Sequence, residues 1–289
     1  MKDYKKIFET IVDNTELYVK KAGLKSMVLG ISGGIDSTVV AAVCHEVSKR
    51  NEDVRFIGVN LPANTNTQIE NDSADYAIRA FCDSAIYSGI EDAYNSVQNL
   101  CDEYCNSTAI SRGNIKARLR MIYLYNVAGV NKGIVMDTDN LTEHYLGFFT
   151  IHGDQGDLNP IGRLWKTEVY ELAKYLKDEY YKDTDNINIV KALEHAIEIT
   201  PTDGNGVKGT GDLDQIMPGY TYTDVDKVLQ FALSEFLTRE NVEYFLQQNP
   251  NITYDAFWGV VNRYKNSEFK RQVSPYVIDI ETNYAKESI

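Results

Sequence analysis

Residues 27–38 read MVLGISGGIDST, and this stretch decides the fold of the chain. Its first part is a short apolar run that predicts a buried strand, and Gly33 and Gly34 then allow positive φ angles and close backbone approach. Ser37 and Thr38 open a periodic apolar segment that predicts a helix. Loop amides and a helix N-terminus therefore converge on one point, which suits a polyphosphate.

The same loop carries side chains that suit a nucleotide and its metal ion. Asp36 supplies a hard oxygen ligand for Mg²⁺, and Ser32 and Ser37 supply hydroxyl groups beside it. The string resembles the signature of ATP pyrophosphatases, which split ATP between the α and β phosphates. An ordinary strand-to-helix turn is the alternative. No Gly-Lys-Ser or Gly-Lys-Thr string occurs in the chain, which argues against a P-loop enzyme.

The composition limits the size of the fold and the class of partner. The chain has 289 residues, 43% of them hydrophobic, and we expect one domain over residues 1–289. The net charge of −13 argues against broad binding to nucleic acid or to an anionic membrane. No apolar run approaches the roughly 18 residues of a membrane span, and the four cysteines predict reduced thiols, so we expect a cytoplasmic protein.

Predicted strands and helices alternate along the chain. Apolar residues at helical spacing predict a first helix over residues 4–22. Strands are predicted over residues 27–31, 54–61, 85–90 and 133–136, with helices between them. This order predicts the α/β class, a doubly wound parallel sheet flanked by helices, with ligands beyond the C-terminal ends of the strands. Residues 200–219 predict a mobile lid loop, and residues 224–246 predict a further helix.

The segment 113–130 is apolar on two sides when it is wound as a helix. One row is Ile115, Leu119 and Ile122, and the opposite row is Ala117, Met121, Leu124 and Ala128. Such a helix needs two neighbours to bury it, and one of them is its own sheet. The other is either a partner subunit in a two-fold dimer or another helix of the same chain.

A second polar stretch, residues 136–150, reads MDTDNLTEHYLGFFT and follows the fourth predicted strand. Thr138 and Glu143 can therefore face the same crevice as Asp36. Two carboxylates from separate loops predict a Mg²⁺ clamp. The alternative is that Glu143 is only a carboxylate in the first turn of a helix.

These blocks, in this order and at these spacings, resemble the ammonia-dependent NAD synthetase family over nearly the whole chain. The matching strings lie at residues 30–37, 112–121, 138–143, 147–150, 159–160, 166, 201–202, 219–226 and 270–271. The resemblance implies a fold like that of the adenine nucleotide hydrolases and no added glutaminase domain. It also implies a homodimer whose subunits share the dinucleotide site.

The resemblance also assigns roles to individual residues. The positions that match the ATP contacts of the family are Gly30, Ile31, Ser32, Gly33, Gly34, Ile35, Asp36, Ser37, Thr138, Lys166 and Thr202. The positions that match its Mg²⁺ ligands are Asp36 and Glu143, and those that match its deamido-NAD contacts are Arg118, Asp157 and Lys270.

The implied reaction is the amidation of deamido-NAD to NAD with free ammonia. ATP activates the nicotinate carboxylate as an adenylate, pyrophosphate leaves, and ammonia displaces AMP. The residues expected to be catalytic are Asp36, Glu143 and Lys166, which would stabilise charge on the leaving group together with Mg²⁺.

Several positions depart from the family pattern on the dinucleotide side. Ile151 and Phe269 stand where the family usually has lysine and histidine, and Asp137 replaces a usual glycine. These departures predict weakened or re-posed binding of deamido-NAD. Two alternatives stay open, namely another ATP pyrophosphatase that adenylates a different carboxylated nucleotide, and a protein that binds ATP without turnover.

Overall fold

The computed structural model describes residues 2–64, 66–199, 213 and 217–272 of the chain. The first half contains α1 (Tyr4–Lys21), β1 (Ser26–Gly30), α2 (Ile35–Arg50), β2 (Arg55–Asn60), α3 (Gln68–Phe81), β3 (Ser84–Tyr87), α4 (Glu91–Asp102), α5 (Ala109–Val130) and β4 (Gly133–Val135). The second half contains α6 (Leu141–Leu146), α7 (Lys166–Tyr175), a π-helical turn (Leu176–Tyr180), α8 (Ile187–Glu198), α9 (Tyr222–Ser234), α10 (Arg239–Gln248), α11 (Tyr254–Asn266) and α12 (Glu268–Arg271).

The four strands form one parallel sheet in the order β3-β2-β1-β4. The predicted strands and the doubly wound architecture are therefore confirmed. Val28 of the central strand β1 lies between Ile57 of β2 and Val135 of β4. Because β2 and β4 follow on opposite sides of β1, the strand order reverses there, and a crevice opens beyond the C-terminal ends of β1 and β4.

Helices cover both faces of the sheet, as the uninterrupted apolar run of β1 requires. On one face, Met27 and Leu29 pack into a core formed with α1, α2, α3, α7 and α8. On the other face, Val28 packs with Leu124 of α5. A third apolar cluster, which includes Leu146, joins α6 to α9, α10 and α11 beside the crevice.

The two apolar rows of α5 have different surroundings. Met121, Leu124 and Ala128 are buried against the sheet, whereas Ile122 of the opposite row is 67% exposed. Within the described part of the chain, the sheet is therefore the neighbour of only one row. In the opposite row, Ile115 and Leu119 are half-buried, and α4 of the same chain also packs against α5.

The single helix predicted over residues 224–246 is wrong, because the structure has two helices there, α9 and α10. Thr238 begins the second one, and its hydroxyl accepts a hydrogen bond from the Asn241 N–H at 3.2 Å. The Phe231 and Phe245 rings then pack 4.6 Å apart across the break. A local N-cap signal therefore overrode the continuous apolar periodicity.

The helix predicted over residues 4–22 is confirmed as α1. Most of the predicted lid, residues 200–219, lies outside the described residues. In the described ranges, no helix combines the length and the apolar character needed to cross a lipid bilayer.

Candidate active site

A cavity of about 420 Å³ occupies the crevice beyond the C-terminal ends of β1, β2 and β4. Its walls come from the loop after β1, the end of β2, α3, α5, the segment after β4 and the start of α7. Asp36, Thr138, Glu143 and Lys166 all line it. The two polar stretches that sequence analysis singled out therefore face each other across one space.

The glycine loop is held in place from α3. Gly33 has φ +80°, and a Cβ there would collide with the backbone N of Ala74, so only glycine fits. The buried Ser73 hydroxyl donates a hydrogen bond to the Gly33 carbonyl at 2.8 Å. Gly34 is the N-cap of α2 and offers no side-chain acceptor, so the first N–H groups of α2 remain available to an anion.

The Lys166 ammonium joins two carboxylates at the mouth of this loop. Lys166 begins α7, its side chain is 2% exposed, and its Nζ donates to Asp36 and, at 3.0 Å, to Glu143. Burial alone would lower the pKa of Lys166, but the two carboxylates outweigh it and hold that pKa well above its usual range. One negative charge of the three groups is left uncompensated.

The pKa of Glu143 is shifted by its burial and by the neighbouring charges of Lys166 and Asp36. Burial raises the pKa of Glu143 to about 7, although the Lys166 ammonium acts in the opposite direction. A further cation near Asp36 and Glu143 would therefore be favourable.

Asn140 links the two carboxylates through a network that sequence analysis missed. It is fully buried, and its Nδ2 donates to Asp36 Oδ1 at 2.9 Å. Its Oδ1 accepts from the Glu143 N–H at 3.1 Å, and its own N–H donates to Glu143 Oε2 at 3.2 Å. The signal was present, because an N-cap residue three positions before a glutamate is a capping box that orients the glutamate.

Three further aspartates lie behind the pair, and sequence analysis assigned none of them to the site. Among the described residues, Asp139 Oδ2 is a buried atom without a hydrogen-bond partner, and burial raises the pKa of Asp139 well above its usual range. Burial likewise raises the pKa of Asp137 to about 6 and the pKa of Asp154. This end of the cavity thus contains several carboxyl groups that burial favours in the protonated form, and the Lys166 ammonium lies among them.

The residues that the resemblance assigns to deamido-NAD are spread out. Lys270 lines the cavity, but its Nζ donates to the backbone carbonyls of Gly147, at 2.7 Å, and Phe149. Arg118 and Asp157 are exposed and are not among the residues that line the cavity.

Each of these two exposed side chains has a partner on the surface of its own chain. The Arg118 guanidinium donates to the Ile151 carbonyl at 3.2 Å. The Asp157 carboxylate accepts from the Tyr125 hydroxyl at 2.9 Å and from the Val135 N–H at 3.1 Å. Thr202, assigned to ATP, lies outside the described residues.

The donor set at the phosphate end suits Mg²⁺. Asp36 and Glu143 both reach a single cation, Lys166 Nζ, so their oxygens can approach one cation position. Mg²⁺ in nucleotide enzymes is commonly held by one or two carboxylates together with substrate phosphates and water. Within the described part of the chain, at this end of the cavity as well as elsewhere, no group of three or more His, Cys, Asp or Glu residues is arranged to hold a metal ion.

Comparison with known proteins agrees with this geometry. The family model described as NAD synthase matches residues 7–274. An NH(3)-dependent NAD(+) synthetase of Ectopseudomonas mendocina (strain ymp) is 31% identical over 262 residues, which cover 86% of this chain and 85% of that protein. The protein of the same name in Helicobacter pylori (strain G27) is 29% identical over 275 residues, which cover 93% and 94%.

Two solved structures share the fold. An NH3-dependent NAD synthetase from Campylobacter jejuni, in complex with nitrate, has a TM-score of 0.71 at 26% identity and covers 96% of this chain and 100% of its own. An NMN synthetase from Francisella tularensis has a TM-score of 0.74 at 24% identity, with coverage of 98% and 100%.

Proposed function

The chain belongs to the NAD synthase family, and from that membership we propose that it is a ligase that amidates deamido-NAD to NAD with ammonia and ATP. The observation that carries the proposal is the buried Lys166 ammonium, held by Asp36 and Glu143 at the mouth of a glycine loop. A fixed cation beside unsatisfied helix N–H groups is an arrangement for phosphate transfer rather than for simple packing.

The proposed chemistry has two steps. A carboxylate oxygen of the nicotinate ring attacks the α-phosphorus of ATP, and the bond to pyrophosphate breaks. Ammonia then attacks the carbonyl carbon of the adenylate, AMP leaves with the shared oxygen, and the nitrogen loses a proton to form the amide. The loop amides orient the phosphates, and Lys166 opposes the charge that develops on pyrophosphate.

We propose Mg²⁺ as the metal ion of this reaction, with Asp36 and Glu143 as its protein ligands. When bound, it would neutralise phosphate charge and polarise the α-phosphoryl group. The uncompensated negative charge around Lys166 supports the assignment, because a cation there relieves the repulsion between the two carboxylates.

The second candidate function is amidation of a smaller carboxylated nucleotide. It is favoured by the exposure of Arg118 and Asp157 outside the cavity lining, and by Ile151 and Phe269 at positions where the family usually has basic residues. Nicotinate mononucleotide carries the same reactive carboxylate and lacks the adenylate half. It is therefore the natural comparison substrate.

We also propose that the enzyme is a homodimer through the outer row of α5. Besides Ile122 of that row, four apolar side chains on or next to α4 and α5 are more than three-fifths exposed and could extend the interface: Leu100, Tyr104, Ile110 and Val130. An exposed surface of this kind is typical of an interface. Arg118 lies four residues before Ile122 and so shares its helix face, which would bring Arg118 into a site shared by two subunits.

The cellular compartment stays a prediction. All four cysteines are free thiols, which is typical of a reducing compartment, and ATP is a cytoplasmic substrate. We propose a cytoplasmic enzyme on these grounds.

The decisive experiment quantifies products. The protein is incubated with ATP, Mg²⁺, ammonium and either deamido-NAD or nicotinate mononucleotide, and AMP, pyrophosphate and the amide are measured. We expect one AMP and one pyrophosphate for each NAD formed. Faster turnover of the mononucleotide would favour the second candidate, whereas ADP and phosphate as products, or no ATP cleavage with either nucleotide, would overturn the proposed function.

A further inference from the structure

The first turn of α7 contains Lys166, and the backbone N–H groups of this turn need hydrogen-bond acceptors. A helix leaves its first N–H groups without acceptors in the helix itself. The preceding residue, Trp165, cannot supply one, because its indole is only a donor. The acceptors come from two other elements instead: Thr142 Oγ1 accepts from the Lys166 N–H at 2.8 Å, and Asp226 Oδ2 accepts from the Thr167 N–H at 3.1 Å.

Asp226 is the centre of this cap. It lies on α9, is 2% exposed, and accepts three hydrogen bonds. Besides the Thr167 N–H, the donors are the Thr167 hydroxyl at 2.7 Å and the Thr142 hydroxyl at 2.6 Å. A carboxylate at this place is favoured by the positive end of the α7 dipole. One buried side chain therefore ties α6, α7 and α9 together.

The two threonines are direct neighbours of the reacting groups. Thr142 precedes Glu143 in the chain, and Thr167 follows Lys166. Fixing both threonines fixes the backbone from which the Glu143 carboxylate and the Lys166 ammonium extend. A displacement of about 1 Å at such groups can cost on the order of a hundredfold in rate.

The same face of α9 also contacts the Lys166 side chain directly, through Tyr222. Tyr222 lies four residues before Asp226, so the two side chains share one side of the helix. The Tyr222 ring centroid lies 5.4 Å from Lys166 Nζ. The helix thus contacts Lys166 at its ammonium through Tyr222 and holds its backbone through Asp226.

We infer that Asp226 is a positioning residue that sets the geometry of Lys166 and Glu143 through Thr142 and Thr167. It touches neither reacting side chain and acts only through the two threonines. The inference rests on the proposed function for its rate effect, but the placement of α7 can be tested without turnover.

The chain offers a matched control on the same helix. Asp224 also lies on α9, is buried, and accepts three hydrogen bonds, two from Thr221 and one from Asn251. None of its partners touches Lys166 or Glu143. Asp224→Asn and Asp226→Asn therefore remove the same charge from similar networks, and only the second network leads to the active site.

The test compares kcat, KM for ATP and amide hydrogen exchange in these variants. For Asp226→Asn we expect kcat to fall about 10–100-fold, with KM for ATP changed less than about threefold, and faster exchange in the first turn of α7. Asp224→Asn should stay within about threefold of the unmodified enzyme in kcat and leave exchange at α7 unchanged.

A second pair of variants distinguishes a loss of positioning from simple misfolding. Thr142→Ser keeps the hydroxyl and should retain activity, whereas Thr142→Val removes it and should behave like Asp226→Asn. Equal losses in the two aspartate variants, or unchanged exchange at α7 in Asp226→Asn, would overturn the inference. If the unmodified enzyme forms no AMP, the proposed function fails instead, and the exchange data still decide whether Asp226 positions α7.

Discussion

The two ends of the cavity differ in how their polar groups are held. At the phosphate end, Asp36, Asn140, Glu143 and Lys166 bond to one another, and their side chains are at most 16% exposed. At the opposite end, Arg118 lies beside the cavity lining rather than in it, is exposed, and donates to the Ile151 carbonyl of its own chain. The cluster at the phosphate end is therefore preorganised within one chain, whereas the groups around Arg118, here called the open end, are not.

The difference follows from the cost of burying charge. A buried ammonium between two carboxylates is tolerated only when each group has bonded partners, so such a cluster must form as a unit. Exposed groups such as Arg118 and Asp157 carry no such requirement.

The largest effect is expected when a carboxylate of the phosphate end is neutralised. Asp36→Asn and Glu143→Gln should each lower the rate of AMP formation by about a thousandfold or more, because each removes a hard ligand and an ion-pair partner of Lys166. Circular dichroism should show a folded protein in both cases. Asp75→Asn, at a half-buried carboxylate that is paired with Arg79 and lies outside the cavity lining, is the control and should keep full activity. Near-normal turnover at limiting Mg²⁺ would contradict the assigned clamp.

A charge on the outer row of α5 tests whether a second subunit covers the open end. Ile122→Glu should shift the dimer dissociation constant upward by about two decades or more, because an unpaired carboxylate would be buried in the interface. Sedimentation of the variant and of the unmodified protein measures the shift.

Leu124→Glu is the matched comparison from the opposite row. Leu124 is buried against the sheet of its own subunit, so this variant should lose thermal stability whatever the oligomeric state. If the unmodified protein sediments as a monomer at micromolar concentration, the proposed dimer interface is wrong.

A lysine at position 151 tests whether a positive charge at the open end strengthens the binding of deamido-NAD. Ile151→Lys should lower KM for deamido-NAD by about tenfold with little change in kcat, since a charge-assisted hydrogen bond contributes roughly 1.5–3 kcal/mol and binds ground state and transition state alike. Ile187→Lys adds the same charge at an exposed site on α8, a helix that carries none of the residues assigned to deamido-NAD, and should have no effect on KM. An unchanged or raised KM in Ile151→Lys would contradict the expected role of this position.

The smallest effect concerns the acidic residues behind the phosphate end. Burial raises the pKa of Asp137 from 3.8 to about 6, so the folded protein keeps a proton that the unfolded chain releases near pH 4. This group's contribution to stability is complete below pH 4 and is lost as the pH rises through 6. The loss is at most about 3 kcal/mol.

Urea unfolding between pH 4 and 7 measures it, with Asp137→Asn as the variant that cannot titrate. The unfolding free energy of the unmodified protein, minus that of Asp137→Asn, should decrease as the pH rises. A difference that stays constant over this range would show that Asp137 is already ionised in the fold.

Local sequence signals determined the strands, turns and helices that surround the candidate site. The apolar run and glycines of residues 27–38 specify a strand, a turn and a helix, because each signal acts over a few neighbouring residues. Parallel strands bring their C-terminal ends to one edge, so the sequence alone predicted that Asp36 and Glu143 would face the same crevice. The alternation of four strands with helices followed from the same periodicity, whereas the order of the strands within the sheet was given only by the structure.

Tertiary structure decided which of these groups touch and which do not. The bond from Asn140 to Asp36, the cap that Asp226 provides for α7, and the exposure of Asp157 have no local signature. Asp226 lies 59 residues from Thr167 and 84 from Thr142 in the chain, so their contact depends on how distant helices pack. Packing of separated segments is a property of the whole core, and no short window of sequence contains it.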